Sequence, residues 1–199
     1  MGGKDMNNNT SKMIKISLLS ALALILMYID FPVIPLFPWL KIDLSDVPAL
    51  IGAFGFGPLA GILIELIKNV VIVLIKGTQT GLIGEAANFL VGVALILPAG
   101  LVYHKNKSKK TAILGMILGA VCMELVGIIA NVYFLLPAYG MQMSPAESMK
   151  YITLGLLPFN GIKALIVSIV TYIVYKKVSV SIFKAEPNFG GAENRTKTI

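Results

Sequence analysis

The chain has 199 residues, 56% of them hydrophobic and 14% charged, with a mean hydropathy of +0.82 and a formal net charge of +7. That balance excludes an ordinary soluble domain; at about 20 apolar residues per crossing, the length holds about six membrane helices with short connections. One cysteine, Cys122, excludes a disulfide framework and a cysteine metal cluster, and lysines gathered at the ends of apolar runs orient a membrane protein rather than grip nucleic acid.

Met1 to Asp5 reads as a leader ahead of a second start at Met6, so residues 1–11 are expected to be a polar N-terminus outside the fold. The first span runs from about Ile14 to Ile29 behind Lys12 and Lys15. A secretory signal shares that pattern, but Asp30-Phe31-Pro32 offers no small-residue cleavage site and further spans follow, so the helix is retained. Phe31 to Lys41 holds three prolines and Trp39, which suits an interfacial loop with an aromatic anchor. Asp43-Leu44-Ser45-Asp46 ahead of Val47-Pro48 predicts a helix start. Its apolar run is short for a crossing and ends at the turn Gly55-Phe56-Gly57-Pro58.

A third span is expected over Leu59 to Ile75, followed by the loop Gly77 to Gly81. The fourth runs from Leu82 to Tyr103 and the fifth from Thr111 to Leu136, with the basic stretch His104 to Lys110 between them. Pro137 to Lys150 reads as a polar loop, and Pro158 as the first-turn proline of a last helix ending near Tyr175. The expected organisation is a six-helix membrane domain over residues 12–178 and a polar cytoplasmic tail over 179–199. If the N-terminus, the Lys105 to Lys110 loop and the tail are cytoplasmic, the other side keeps only Lys41, Lys76 and Lys150. The fold class is therefore all-α and polytopic, with six transmembrane helices and both termini cytoplasmic.

Polar residues inside apolar runs are costly, and they mark helix contacts or ligand paths. Gly84, Glu85 and Asn88 lie in the outer turns of the fourth helix, Asn131 lies late in the fifth, and Asn160 and Lys163 share a face early in the sixth. These amides, a cation and a carboxylate converge beneath the outer loops. An asparagine offers a donor and an acceptor and a lysine a directed donor, which suits an uncharged ligand with a lactam or uracil-like edge. Interhelical bonding among these groups is the competing reading.

Elsewhere structural roles lead. Glu65, Lys68 and Asn69 share one face of the third helix and read as a packing ion pair before a ligand contact. Asp43 and Asp46 could share a cation, but capping is favoured. His104 reads as a solvated loop residue, and Gly115-x-x-x-Gly119 as close packing. Ser17 and Ala21 form a small-xxx-small surface for either an internal or an external helix. There is no G-x-x-x-x-G-K-[ST] loop in the sequence, hence no route to ATP hydrolysis by that motif, and enzyme chemistry is poorly represented.

Five segments in order resemble a known family: Asp43-Leu44-Ser45-Asp46-Val47-Pro48-Ala49, Phe56-Gly57-Pro58-Leu59-Ala60-Gly61, Glu65-Leu66-Ile67-Lys68-Asn69, Ala87-Asn88-Phe89 and Pro158-Phe159-Asn160-Gly161-Ile162-Lys163-Ala164. The likeness, over about Ser17 to Lys177, is to the riboflavin-specific substrate-binding subunit (S component) of energy-coupling factor transporters. It implies riboflavin binding from outside a bacterial cell membrane, in a pocket built from the first outer loop, including Leu40 and Asp43, and the outer halves of the last three helices. By resemblance, Asn131 and Lys163 engage the isoalloxazine, while Thr78 and Gln79 are available to the ribityl hydroxyls. The small pair on the first helix would dock a transmembrane scaffold subunit that carries two ATPases; Ser17 stands where alanine is more usual. Riboflavin is then cargo, and no cofactor is implied. Rival readings are an S component for another vitamin, an autonomous carrier in which Glu65, Lys68 and Glu124 would couple ions, and a membrane enzyme needing carboxylates near the cytoplasmic face.

Overall fold

A computed structural model describes residues 2–78 and 80–183; Gln79 and the tail from residue 184 lie outside the described residues. Among the described residues, five helices are long and apolar enough to cross a membrane: Asn9–Met27, Pro58–Lys76, Ile83–Asn106, Lys109–Ala138 and Pro145–Tyr175. The first lies within α1 (Gly2–Met27), which takes in most of the polar N-terminal stretch as helix. A hairpin of two short strands follows, β1 (Phe31–Pro32) antiparallel to β2 (Lys41–Ile42). Between its strands the chain turns inward, burying Phe37 and Leu40.

The short helix expected after Ser45 is α2 (Asp46–Phe56). Eleven residues span about 16 Å, half of a ~30 Å hydrocarbon core. It pairs antiparallel with α3 (Pro58–Lys76) across Gly57, whose φ of 108° is accessible to glycine, and Pro58 takes the first helical position. Irregular backbone at such depth is tolerable only where protein covers it, and Ile42, Asp43 and Ser45 leading into α2 are all buried.

α4 (Ile83–Asn106) and α5 (Lys109–Ala130) pack through glycine as the G-x-x-x-G spacing predicts: a side chain at Gly115 would meet the Ala99 backbone and one at Gly119 the Leu95 carbonyl. His104 is not a loop residue. It sits in the last turn of α4, half-buried, with Nε2 2.9 Å from the Ala53 carbonyl of α2.

The largest departure from the sequence reading lies between α5 and the C-terminus. The expected loop Pro137 to Lys150 is mostly helical: α5 continues through a π-helical turn (Asn131–Leu135) into α6 (Leu136–Ala138), and α7 (Pro145–Tyr151) runs through a second π turn (Ile152–Leu156) into α8 (Leu157–Phe183). The last helix therefore starts at Pro145 rather than Pro158, and it runs past Tyr175 to Phe183, the last of the described residues. Both π turns end on the first leucine of a Leu-Leu-Pro that closes at Pro137 and Pro158. Proline lacks the N–H for the carbonyl four residues back and clashes with it; the wider π turn shifts that carbonyl and lets the helix pass through.

The main core is apolar and centred on Leu50, Ile64, Leu95, Ile96, Met123 and Val167. A satellite cluster of Phe37, Leu40, Leu136, Tyr151 and Leu156 ties the inward-turning loop to α7 and the second π turn. There Gly155 leaves room for the Phe37 ring, which would lie 2.8 Å from an added Cβ.

Candidate functional site

A cavity of about 510 Å³ opens at the end of the bundle that carries the β hairpin and the Gly77 to Gly81 loop. Its volume falls within the ~300–1,000 Å³ of small-molecule sites. Of the ten residues expected from sequence to meet a ligand, eight line it: Leu40, Asp43, Gly84, Glu85, Asn88, Asn131, Asn160 and Lys163. Thr78 is not on its wall. Its hydroxyl donates to Glu85 Oε2 (3.1 Å) and accepts from the Leu82 amide (2.9 Å), so it holds the entry of α4. Gln79 lies outside the described residues.

Below the amides, the floor is a buried ion network joining α2, α3 and α8. Lys68 Nζ lies 2.6 Å from Asp46 Oδ1, 2.8 Å from Glu65 Oε1 and 2.6 Å from Ser45 Oγ. Lys163 Nζ lies 3.0 Å from Asp46 Oδ2 and 3.6 Å from Asp43 Oδ2. All five charged side chains are at least 94% buried. Paired charges of this kind satisfy one another, and loss of one partner strands the other in a low-dielectric interior.

The favoured capping role of Asp43 and Asp46 is thereby corrected. Ser45 makes no side-chain cap; Asp43 Oδ1 accepts the Ser45 amide at 2.8 Å, while the Asp46 carboxylate bridges two lysines. Two cations beside these carboxylates outweigh the weak pull of a helix terminus. The packing role read for Glu65 and Lys68 agrees with this geometry, and Gly92 of α4 is what admits Glu65: a Cβ there would sit 2.5 Å from Glu65 Oε2. Lys163 has a structural task as well as a place on the cavity wall.

The amides are oriented by neighbours. Asn131 Nδ2 donates to the Gly127 carbonyl (2.8 Å) and Oδ1 accepts from Tyr151 Oη (3.0 Å). Asn160 Nδ2 reaches Glu124 Oε1 at 3.5 Å, and Gly127 leaves space for that amide. Asn88 Oδ1 is buried and has no hydrogen-bond partner among the described residues. Trp39, Tyr139, Tyr151 and Phe159 supply flat apolar surface. Sequence reasoning placed Trp39 as an interfacial anchor; it also lines the cavity, with its ring 6.3 Å from that of Tyr151. Tyr151 was missed altogether. Its signal was present in Ser144-Pro145-Ala146-Glu147, a capping box with proline at the first helical position, which starts α7 and points Tyr151 inward.

The opposite side of α1 is bare. Ile16, Leu19, Ser20 and Ala23 pack inward against α2 and α3, whereas Ser17, Leu18, Ala21 and Leu22 are exposed. The small pair therefore serves no internal helix contact.

Three comparisons bear on this arrangement. Residues 11–175 match the family described as ECF transporter, substrate-specific component. The chain is 39% identical to riboflavin transporter RibU of Staphylococcus aureus (strain TCH60), covering 89% of this chain and 96% of that one. It is also 39% identical to riboflavin transporter FmnP of Bacillus subtilis (strain 168), over 84% and 91% of the two chains. A solved S component of a bacterial ECF transporter superposes with a TM-score of 0.77 at 37% identity, over 87% of this chain and 98% of that one. A helical bundle with a polar cavity at one end, matched in sequence over nearly its whole described length, belongs to the substrate-specific components of ECF transporters.

Proposed function

We propose that this chain is the riboflavin-binding subunit of an ECF transporter in a bacterial cell membrane. The observation that carries the reading is the cavity, in which Asn88, Asn131, Asn160 and Lys163 meet the aromatic wall of Trp39, Tyr151 and Phe159. Riboflavin presents a flat ring with an apolar edge and a uracil-like edge, and that wall offers both kinds of contact. The names of the relatives point to the same ligand.

In this reading the chain crosses the membrane six times, α2 and the buried loop before it together making one passage. Both termini and the Lys105 to Lys110 loop face the cytoplasm, and the cavity opens outward. Ser17 and Ala21 offer their bare face to the scaffold subunit, which brings two ATPases. An autonomous carrier is disfavoured because the apolar layer of Leu95, Ile96 and Val167 lies beneath the cavity and the ion network.

The isolated chain in detergent is expected to bind riboflavin and to quench its fluorescence. Reconstituted alone in liposomes, it should not accumulate the vitamin with or without ATP. A preparation that leaves flavin fluorescence unchanged would point to another ligand, and concentrative uptake would point to an autonomous carrier.

A further inference from the structure

Asn131 is held in a hydrogen-bonded chain whose direction is forced at both ends. An indole can only donate, so where Trp39 Nε1 meets Tyr151 Oη at 3.4 Å, the tyrosine oxygen must accept. Its own proton is then available at the other side, where Asn131 Oδ1 lies 3.0 Å away. A backbone carbonyl can only accept, so the Gly127 oxygen at 2.8 Å fixes the other end of the amide as nitrogen. Oδ1 is engaged by the tyrosine, one N–H is engaged by the carbonyl, and the remaining N–H is left for the cavity. A free asparagine could flip its amide; here the tyrosine and the carbonyl hold one orientation, with an unengaged N–H to offer.

The packing around the chain keeps it in place. Tyr151 is only 2% exposed and meets Phe37 edge to face, with centroids 5.0 Å apart. Asn131 opens the first π turn and Tyr151 directly precedes the second, so the two irregular turns bring their side chains together from helices distant in sequence. π turns are frequent at functional sites because they re-aim side chains that a regular helix would send elsewhere.

We infer that Tyr151, backed by Trp39, is a positioning residue: by holding Asn131 Oδ1 it presents the amide to the cavity as a donor, and so selects a ligand carbonyl at that point. The inference rests on the riboflavin reading, in which the ring carbonyls are the acceptors to be matched. Tyr151 also borders the cavity, so its action through Asn131 must be separated from direct contact with the ligand.

A double-mutant cycle makes that separation. Tyr151→Phe keeps the ring and its packing and removes only the hydroxyl. Titration of flavin fluorescence should show affinity lowered about fivefold to tenfold, the effect of one neutral hydrogen bond. In an Asn131→Ala background the same substitution should cost nothing further. Unchanged affinity in Tyr151→Phe, or an equal loss in both backgrounds, overturns the inference while leaving the binding function intact. A parent protein that binds no riboflavin overturns the functional reading and this inference with it.

Discussion

Gly92→Ala probes the ion network without touching any of its charges. The added methyl would lie 2.5 Å from Glu65 Oε2 and 2.9 Å from its Cδ. Glu65 cannot swing clear, because it is fully buried and its Oε1 is held 2.8 Å from Lys68. Overpacking of this kind costs ~1–3 kcal/mol, and a displaced buried ion pair adds to it. Alanine returns up to ~1 kcal/mol of helix propensity over glycine, which offsets part of the loss. The net is a destabilisation of ~1–3 kcal/mol, or a fall in Tm of roughly 2–12 °C at 2–4 °C per kcal/mol for a chain of this size. Gly161→Ala is the matched control: an added Cβ meets nothing within 4 Å, so only the propensity gain remains and Tm should rise slightly. Both are read by thermal unfolding of the detergent-solubilised protein. A Gly92→Ala variant as stable as Gly161→Ala would refute the close seating of Glu65 against α4.

Asn131→Ala should weaken riboflavin binding by roughly tenfold to a hundredfold with a smaller fall in Tm than Lys163→Ala, which lowers both because it also strands Asp43 and Asp46. Fluorescence titration beside a melting curve separates the two effects, and an unaltered affinity in both variants would remove these residues from the site. Ala21→Trp should leave binding by the isolated chain intact while abolishing assembly with the scaffold subunit and uptake in cells, since a bulky ring on a small-residue face blocks helix approach. Intact uptake would remove that face from the partner interface. A single cysteine from Asn106→Cys, in a Cys122→Ser background, should be unreactive to impermeant reagents added outside intact cells; labelling from outside would invert the topology.

Hydropathy alone determined the class of this protein, because crossing about 30 Å of hydrocarbon demands long apolar runs that no local ambiguity can hide. Glycines did nearly as well: Gly57-Pro58 marked the turn between α2 and α3, and Gly115 and Gly119 marked the α4–α5 seam. The polar residues of the cavity were visible for a related reason, since Asn131, Asn160 and Lys163 stand out against apolar neighbours. Their partners were not visible. Asp43 and Asp46 carry a local signal for capping, and only the fold, by bringing Lys68 and Lys163 to one carboxylate, turned them into the centre of an ion network. Pro137 and Pro158 likewise carry a local signal for helix boundaries, which the π turns before them overrule. Tyr151 lies twenty residues from the asparagine it orients and Trp39 more than a hundred from Tyr151. Such contacts depend on the relative placement of whole helices, which periodicity within any one of them does not encode.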